Sequence, residues 1–128
     1  MYLTVDFEDK RPLYQQVIDG IKELIARGAL KEGMSLPSVR QVAGDLGVNL
    51  NTIAAAYRQL QEEGLVDVRH GAGAVVKARR TESAGEDELR KGLRAVLTEL
   101  VLAGLGERDI VSRVREELAS IGGKGGSR

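Results

Sequence analysis

Apolar positions recur with a helical period over three early segments of the chain. Between Pro12 and about Arg27, Leu13, Val17, Ile21, Leu24 and Ile25 form one stripe, which leaves Gln15, Gln16, Lys22 and Glu23 on the solvent side. Gly20 weakens this helix without breaking it, and Gly28 in "GALKEG" suits a left-handed C-cap. After Pro37, Ser38 is the expected N-cap of a short helix over Val39 to Leu46, with Val39, Val42, Ala43 and Leu46 on one side and Gly47 as its stop. A third helix follows after a three-residue turn. Asn49 reads as its N-cap, and Val48 packing on Ile53 at the fourth helical position would fix the angle at which the chain enters.

Beyond Gly64 the period changes to two. "LVDVR" alternates, "HGAG" is rich in glycine and "AVVKA" is again extended, which together predict a β-hairpin from Leu65 to Ala78. The polar stretch "RRTESAGED" reads as a linker. Two further amphipathic helices are expected after it, joined by a turn at "AGLGE". Leu89, Leu93, Val96, Leu97, Leu100 and Val101 stripe the first, and Ile110, Val111, Val114, Leu118 and Ile121 the second. Two helices cannot bury both stripes alone, so these must dock on the preceding domain or on another subunit. The expected fold is mainly α with a small β-hairpin. A winged helix-turn-helix domain over residues 1–80 precedes a two-helix dimerisation region over 81–122 and a disordered tail over 123–128.

Composition fits that picture and narrows the chemistry. Of 128 residues, 42% are hydrophobic and 30% charged, enough for a globular core, but one Phe, three Tyr and no Trp leave aliphatic side chains to fill it. The lack of cysteine excludes disulfides, thiolate metal sites and cysteine nucleophiles together. No stretch approaches the ~18 apolar residues of a membrane span, and "MYLTVDFEDK" has no apolar run behind a basic region, so a cytoplasmic protein without membrane contact is expected. Nineteen basic residues balance nineteen acidic ones, so any binding of nucleic acid must come from local arrangement rather than total charge.

Such an arrangement centres on "GVNLNTIAAAYRQL", whose first helical turn carries residues of poor helix propensity. On a helical wheel Ile53, Ala56, Tyr57 and Leu60 face the core, Asn51, Ala55, Arg58 and Glu62 point away, and Thr52 and Ala54 lie on the flanks. A leading turn that is polar, uncharged and small can lie close in a DNA major groove, where asparagine pairs with adenine and alanine and threonine methyls meet thymine. Taken alone, the helix fits equally well with Asn49, Asn51 and Thr52 serving only the free amides of its own terminus. Its neighbours favour the first reading. Ser38 and Arg40 open the preceding helix, where a hydroxyl, a guanidinium and helix-end amides can grip phosphate. From Val68 to Arg80 there are four basic residues and His70 but no acid, and the tip "HGAG" is slim enough for a minor groove. The expected assignment is therefore Asn51 and Thr52 on bases, Ser38, Arg40, Tyr57 and Arg69 on the DNA backbone, Asn49 at the helix start beside them, and His70 with Gly71 as the wing contact.

Enzymatic readings fare poorly. The only histidine lies on the hairpin tip, no serine has a recognisable base partner, and the pairs Glu62/Glu63 and Glu116/Glu117 diverge as helix neighbours. "GAGAVV" leads into a strand rather than a helix and is not a dinucleotide fingerprint. No cofactor, metal site or enzymatic activity is expected.

The segment "LPSVRQVAGDLGVNLNTIAAAYRQLQEEGLVDVRHGAGAVV" resembles the winged-helix domain of GntR-type bacterial transcription regulators, and "RPLYQQVIDGIKELIARGALKEG" is similar to the family's first helix and turn. The resemblance runs over about residues 10 to 77, and "VNLNT" with the short C-terminal helix pair looks most like the YtrA subfamily. It implies a homodimeric repressor on an inverted-repeat operator of double-stranded DNA, often for a transporter or its own operon, with contacts at positions matching Arg40, Asn51, Thr52, His70 and Gly71. The chain departs from many relatives at Leu50 and Ala54, where arginine is common, and at Ala72 and Ala74, where a basic residue and threonine are common. It is too short for the aminotransferase-like domain of the related MocR subfamily. Competing with the repressor are a protein-interaction adaptor on the same scaffold, which zero net charge favours, and a sensor holding a small effector between the C-terminal helices.

Overall fold

The computed structural model describes residues 3–69, 73–77 and 85–122. Two compact units divide the chain, Met1–Arg80 and Thr81–Arg128. In the first, α1 (Leu13–Ala26), β1 (Ser35–Leu36), α2 (Val39–Leu46), α3 (Leu50–Glu62), β2 (Val66–Arg69) and β3 (Gly73–Val76) follow in order, and the second holds α4 (Glu86–Leu102) and α5 (Glu107–Gly122).

Local chemistry sets the helix ends. Pro12, with its fixed φ, precedes α1, and beyond its end Gly28 takes φ 84° while the amides of Ala29 and Leu30 return to the Leu24 carbonyl. The Ser38 hydroxyl accepts from the Gln41 amide at 3.1 Å, capping α2, which stops at Gly47 in the left-handed region. Asn49 caps α3, its side-chain oxygen accepting from the Asn51 amide at 2.7 Å. The α3 helix is the spine of the unit and packs on α1, α2 and β2. Ile53, Ala56, Tyr57 and Leu60 meet Val17, Ile18 and Ile21 of α1, Val42 and Ala43 of α2, and Leu36, Val66, Ala74 and Val76 of the sheet in one apolar cluster.

The sheet has three strands, not two. Its order is β1-β3-β2, all antiparallel, with Leu36 opposite Ala74 and Val68 opposite Ala74 from the other side. Two residues of "SL" show no alternation, so β1 has no periodic signature; it exists because β3 offers a second edge. Gly33 donates to the Val76 carbonyl and Val76 to that of Met34, which ties the approach to α2 onto the hairpin.

The α1 stripe is rotated from the expected one. Gln16 is buried rather than solvated, and Ile18 enters the core while Leu13 and Ile25 are only half-buried. The cause is the segment before α1: the Asp6 amide donates to Gln16 Oε1 at 2.8 Å, and Gln16 Nε2 donates to the carbonyls of Asp6 and Arg11, each at 3.0 Å. Leu3 and Val5 of that segment pack against the core and cover a flank that a wheel assigns to water.

In the second unit, Gly104 turns the chain between α4 and α5 with φ 95°. Neither helix has a fully buried residue. Leu89, Leu93, Val96, Val101, Leu102, Val111, Val114 and Leu118 all remain exposed, from 38% at Val114 to 75% at Leu102. Leu93, Leu97, Val101, Ile110, Val111, Val114 and Leu118 line a groove of about 630 Å³ whose edges carry Glu107 and Arg115. Leu89, Val96 and Leu100 lie outside that groove. No helix among the described residues is long and apolar enough to cross a membrane.

Candidate nucleic-acid interface

The starts of α2 and α3 carry no acidic residue in the first turn, whereas α4 opens with Glu86, Asp87 and Glu88 and α5 with Glu107 and Asp109. Carboxylates normally settle at helix N-termini because they meet the positive end of the peptide dipoles. The C-terminal pair follows that preference, while α2 and α3, like α1, have no carboxylate at their start, and the amides beyond those that Ser38 and Asn49 cap can meet an external anion.

Side chains around those two termini are mostly unengaged. Ser38 is exposed, and its hydroxyl, accepting from Gln41, still has a proton to donate. Arg40 is exposed and makes no ion pair among the described residues. On α3 the wheel holds except at Ala55: Ile53, Ala56, Tyr57 and Leu60 are buried, Asn51, Arg58 and Glu62 exposed, Thr52 and Ala54 half-buried, and Ala55, expected outward, is half-buried as well. The backbone amide of Asn51 is used by the Asn49 cap, but its side-chain amide has no hydrogen-bond partner among the described residues. That leaves an acceptor and two donors facing outward in the fork that matches the N6/N7 edge of adenine.

Tyr57 does not stand where a phosphate ligand must. Its side chain is 1% exposed, and its hydroxyl donates to the Pro37 carbonyl at 2.7 Å, so the proton that would serve a phosphate is spent inside the fold. Burial pushes the phenol up to about 12. The wheel had already put Tyr57 on the core face, and a phenol there needs an internal partner. Its role is positional: the bond joins α3 to the residue just before the Ser38 cap and so holds the two helix starts together.

At the hairpin, Arg69 Nε lies 3.1 Å from Asp67 Oδ2, with both side chains about half exposed, a contact weak enough for a phosphate to displace. His70, Gly71 and Ala72 lie outside the described residues, as do Arg79, Arg80 and the 123–128 tail. Ala74, by contrast, is fully buried between Leu36 and Val68 and belongs to the core, not to the wing surface. Arg58, absent from the expected contacts, is exposed and seven residues beyond Asn51 on the same helix face, without an ion pair among the described residues. Its signal was the wheel itself. No group of three or more His, Cys, Asp or Glu able to hold a metal occurs among the described residues.

Residues 13–76 match the family described as "Bacterial regulatory proteins, gntR family". The chain is similar to the HTH-type transcriptional repressor YtrA of Bacillus subtilis, with 29% identity over 95% of this chain and 97% of that protein. It is similar to the crystal structure of a transcriptional antiterminator from Listeria monocytogenes EGD-e, with a TM-score of 0.86, 27% identity, and coverage of 96% of this chain and 94% of that one. The DNA-binding domain of AraR, solved in complex with operator ORE1, gives a TM-score of 0.51 and 26% identity over 59% of this chain and 93% of that one. The family model covers half the chain and the repressor YtrA aligns along nearly all of it: the chain belongs to the GntR family, as a YtrA-like, DNA-binding transcriptional regulator rather than an enzyme.

Proposed function

We propose that the chain is a homodimeric, cytoplasmic repressor that binds an inverted-repeat operator of its own or a transporter operon. The observation that carries the reading is Asn51, whose exposed side-chain amide has no partner among the described residues, at the acid-free start of α3. In this scheme Asn51 and Thr52 read base edges, with Asn49 setting the helix start. Ser38 and Arg40 hold one phosphate run, Arg58 and Arg69 add backbone contacts, and His70 with Gly71 form the wing contact. The C-terminal helices serve the dimer. Eight large apolar side chains left exposed on a two-helix hairpin are what a second copy would cover, and B. subtilis YtrA, with nearly the same length, is named a repressor. The groove between α4 and α5 is lined by apolar side chains apart from Glu107 and Arg115, which favours the dimer seam over a ligand site.

The test is selection of duplexes from a random pool by the full chain, followed by titration of Asn51→Ala. An enriched palindrome is expected, and Asn51→Ala should lose about 1–3 kcal/mol on it with little change on random DNA. Enrichment of single half-sites would refute the dimer, and equal losses on both DNAs would make Asn51 a phosphate contact.

A further inference from the structure

Leu50 is the first residue of α3, beside Asn51, and is 39% exposed. Among the described residues of the first unit, only Phe7 and Met34 are other large apolar side chains left so open. Met34 has a local use, its sulfur accepting from the Lys31 amide at 3.1 Å, and Phe7 belongs to the segment before α1 rather than to α2 or α3. A single exposed leucine needs no explanation by itself. Its surroundings give it one. From Leu50 to Tyr57 the helix carries no charged residue, so neither lysine nor arginine is present in its first two turns to pair with guanine. Ala54, half-buried, is the i+4 neighbour of Leu50 and extends the same apolar strip along the helix. The proposed base-reading surface therefore holds the Asn51 amide fork and the Thr52 hydroxyl flanked by methyl groups, and the fork beside the methyls is the chemical complement of adenine beside thymine.

We infer that Leu50 is a specificity-determining residue that packs on the C5-methyl of thymine, so that the α3 half-site is an A·T-rich step read by Asn51 and Leu50 together. This rests on the proposed DNA-reading role of α3 and adds to it the base class and the residue that selects thymine. The apolar contact excludes water from one side of Asn51, which strengthens the amide's discrimination in turn.

The test uses the full chain and the operator enriched from the random pool. Each thymine is replaced in turn by deoxyuridine, which removes only the methyl and leaves the pairing edge unchanged. Binding should weaken about three- to fivefold at one position in each half-site, the size expected when one methyl no longer leaves water. Leu50→Ala should bind the thymine operator as weakly as the native chain binds the uracil one, and should no longer distinguish the two. Circular dichroism of Leu50→Ala should match the native chain, since the site is exposed and alanine favours the helix. A repeat selection with Leu50→Arg should exchange thymine for guanine at that position. Uracil without effect at every thymine, or a Leu50→Ala variant as sensitive to uracil as the native chain, would overturn the assignment while leaving the regulator intact. Failure to enrich any duplex would overturn both.

Discussion

Replacing Tyr57 with phenylalanine removes one oxygen and little else, because the ring stays in the same 1% exposed site among α2 and α3 residues. The deleted hydroxyl is the donor to the Pro37 carbonyl. Losing a hydrogen bond and leaving its acceptor half-buried costs about 1–1.5 kcal/mol, so at pH 7 the variant should be less stable by that amount. The pH dependence is more diagnostic. An unfolded tyrosine titrates near 10, whereas the folded phenol is pushed up to about 12 by burial. The fold favours the protonated form, so its contribution is complete below pH 10 and is lost as pH rises through 12, at about 1.4 kcal/mol per pH unit. The native chain therefore surrenders its advantage over Tyr57→Phe about one pH unit above 10, and beyond that the phenylalanine variant is the more stable. Urea unfolding at pH 7, 9, 10 and 11, followed by far-ultraviolet circular dichroism, measures the difference between the two chains and cancels the lysines and the other tyrosines. A gap that stays constant across this range, or no gap at pH 7, would refute the buried, bonded phenol.

Two other substitutions test how the first unit is held together. Gln16→Leu should cost about 1–3 kcal/mol in urea unfolding, because three hydrogen bonds to Asp6 and Arg11 lose their partner, and limited proteolysis should then cut the segment before α1 faster than in the native chain. Gly47→Ala and Gly73→Ala both place a side chain at positive φ, at a cost of about 1–2 kcal/mol each. Gly73→Ala should be the worse in the same melt, since its Cβ would also sit 3.2 Å from the Leu36 carbonyl, whereas Gly47 has open space.

Periodicity made most of this fold legible. The bounds of α2 and the buried face of α3 could be read directly, because Ser38, Gly47 and Asn49 use side-chain and backbone chemistry that local sequence encodes. What stayed hidden depended on partners distant in sequence. The β1 strand is two residues paired across to Val75 and Ala74, and Gln16 is buried only because a segment ten residues upstream folds onto it. The same limit explains Tyr57. Its place on the core face is readable, but the carbonyl it bonds is twenty residues away, so local sequence does not show that its hydroxyl is taken by Pro37. The exposure of Asn51 and Arg40 beside acid-free helix starts needs no distant partner and was legible without that information.

Zero net charge, which first argued against nucleic acid, has a physical use once charges are placed on elements. From Gly33 to Gln61 the chain carries only Arg40, Asp45 and Arg58, so the stretch that presents both helix starts is nearly free of charge of either sign. Attraction of lysine and arginine to phosphate is blind to sequence and raises affinity for every duplex alike. A front edge built from Ser38, Leu50, Asn51 and Thr52 adds little to that common term. On the proposed reading, the helix amides of α2 and α3 would reach phosphate only at close range, with the helix seated and the base edges also met. Discrimination then rises relative to affinity, because wrong sites lose the amide and methyl contacts without keeping a large electrostatic remainder. On the proposed reading, Arg40, Arg58 and Arg69 with the basic residues that follow on the hairpin would orient the approach, and Asp67 beside Arg69 would offset part of that charge.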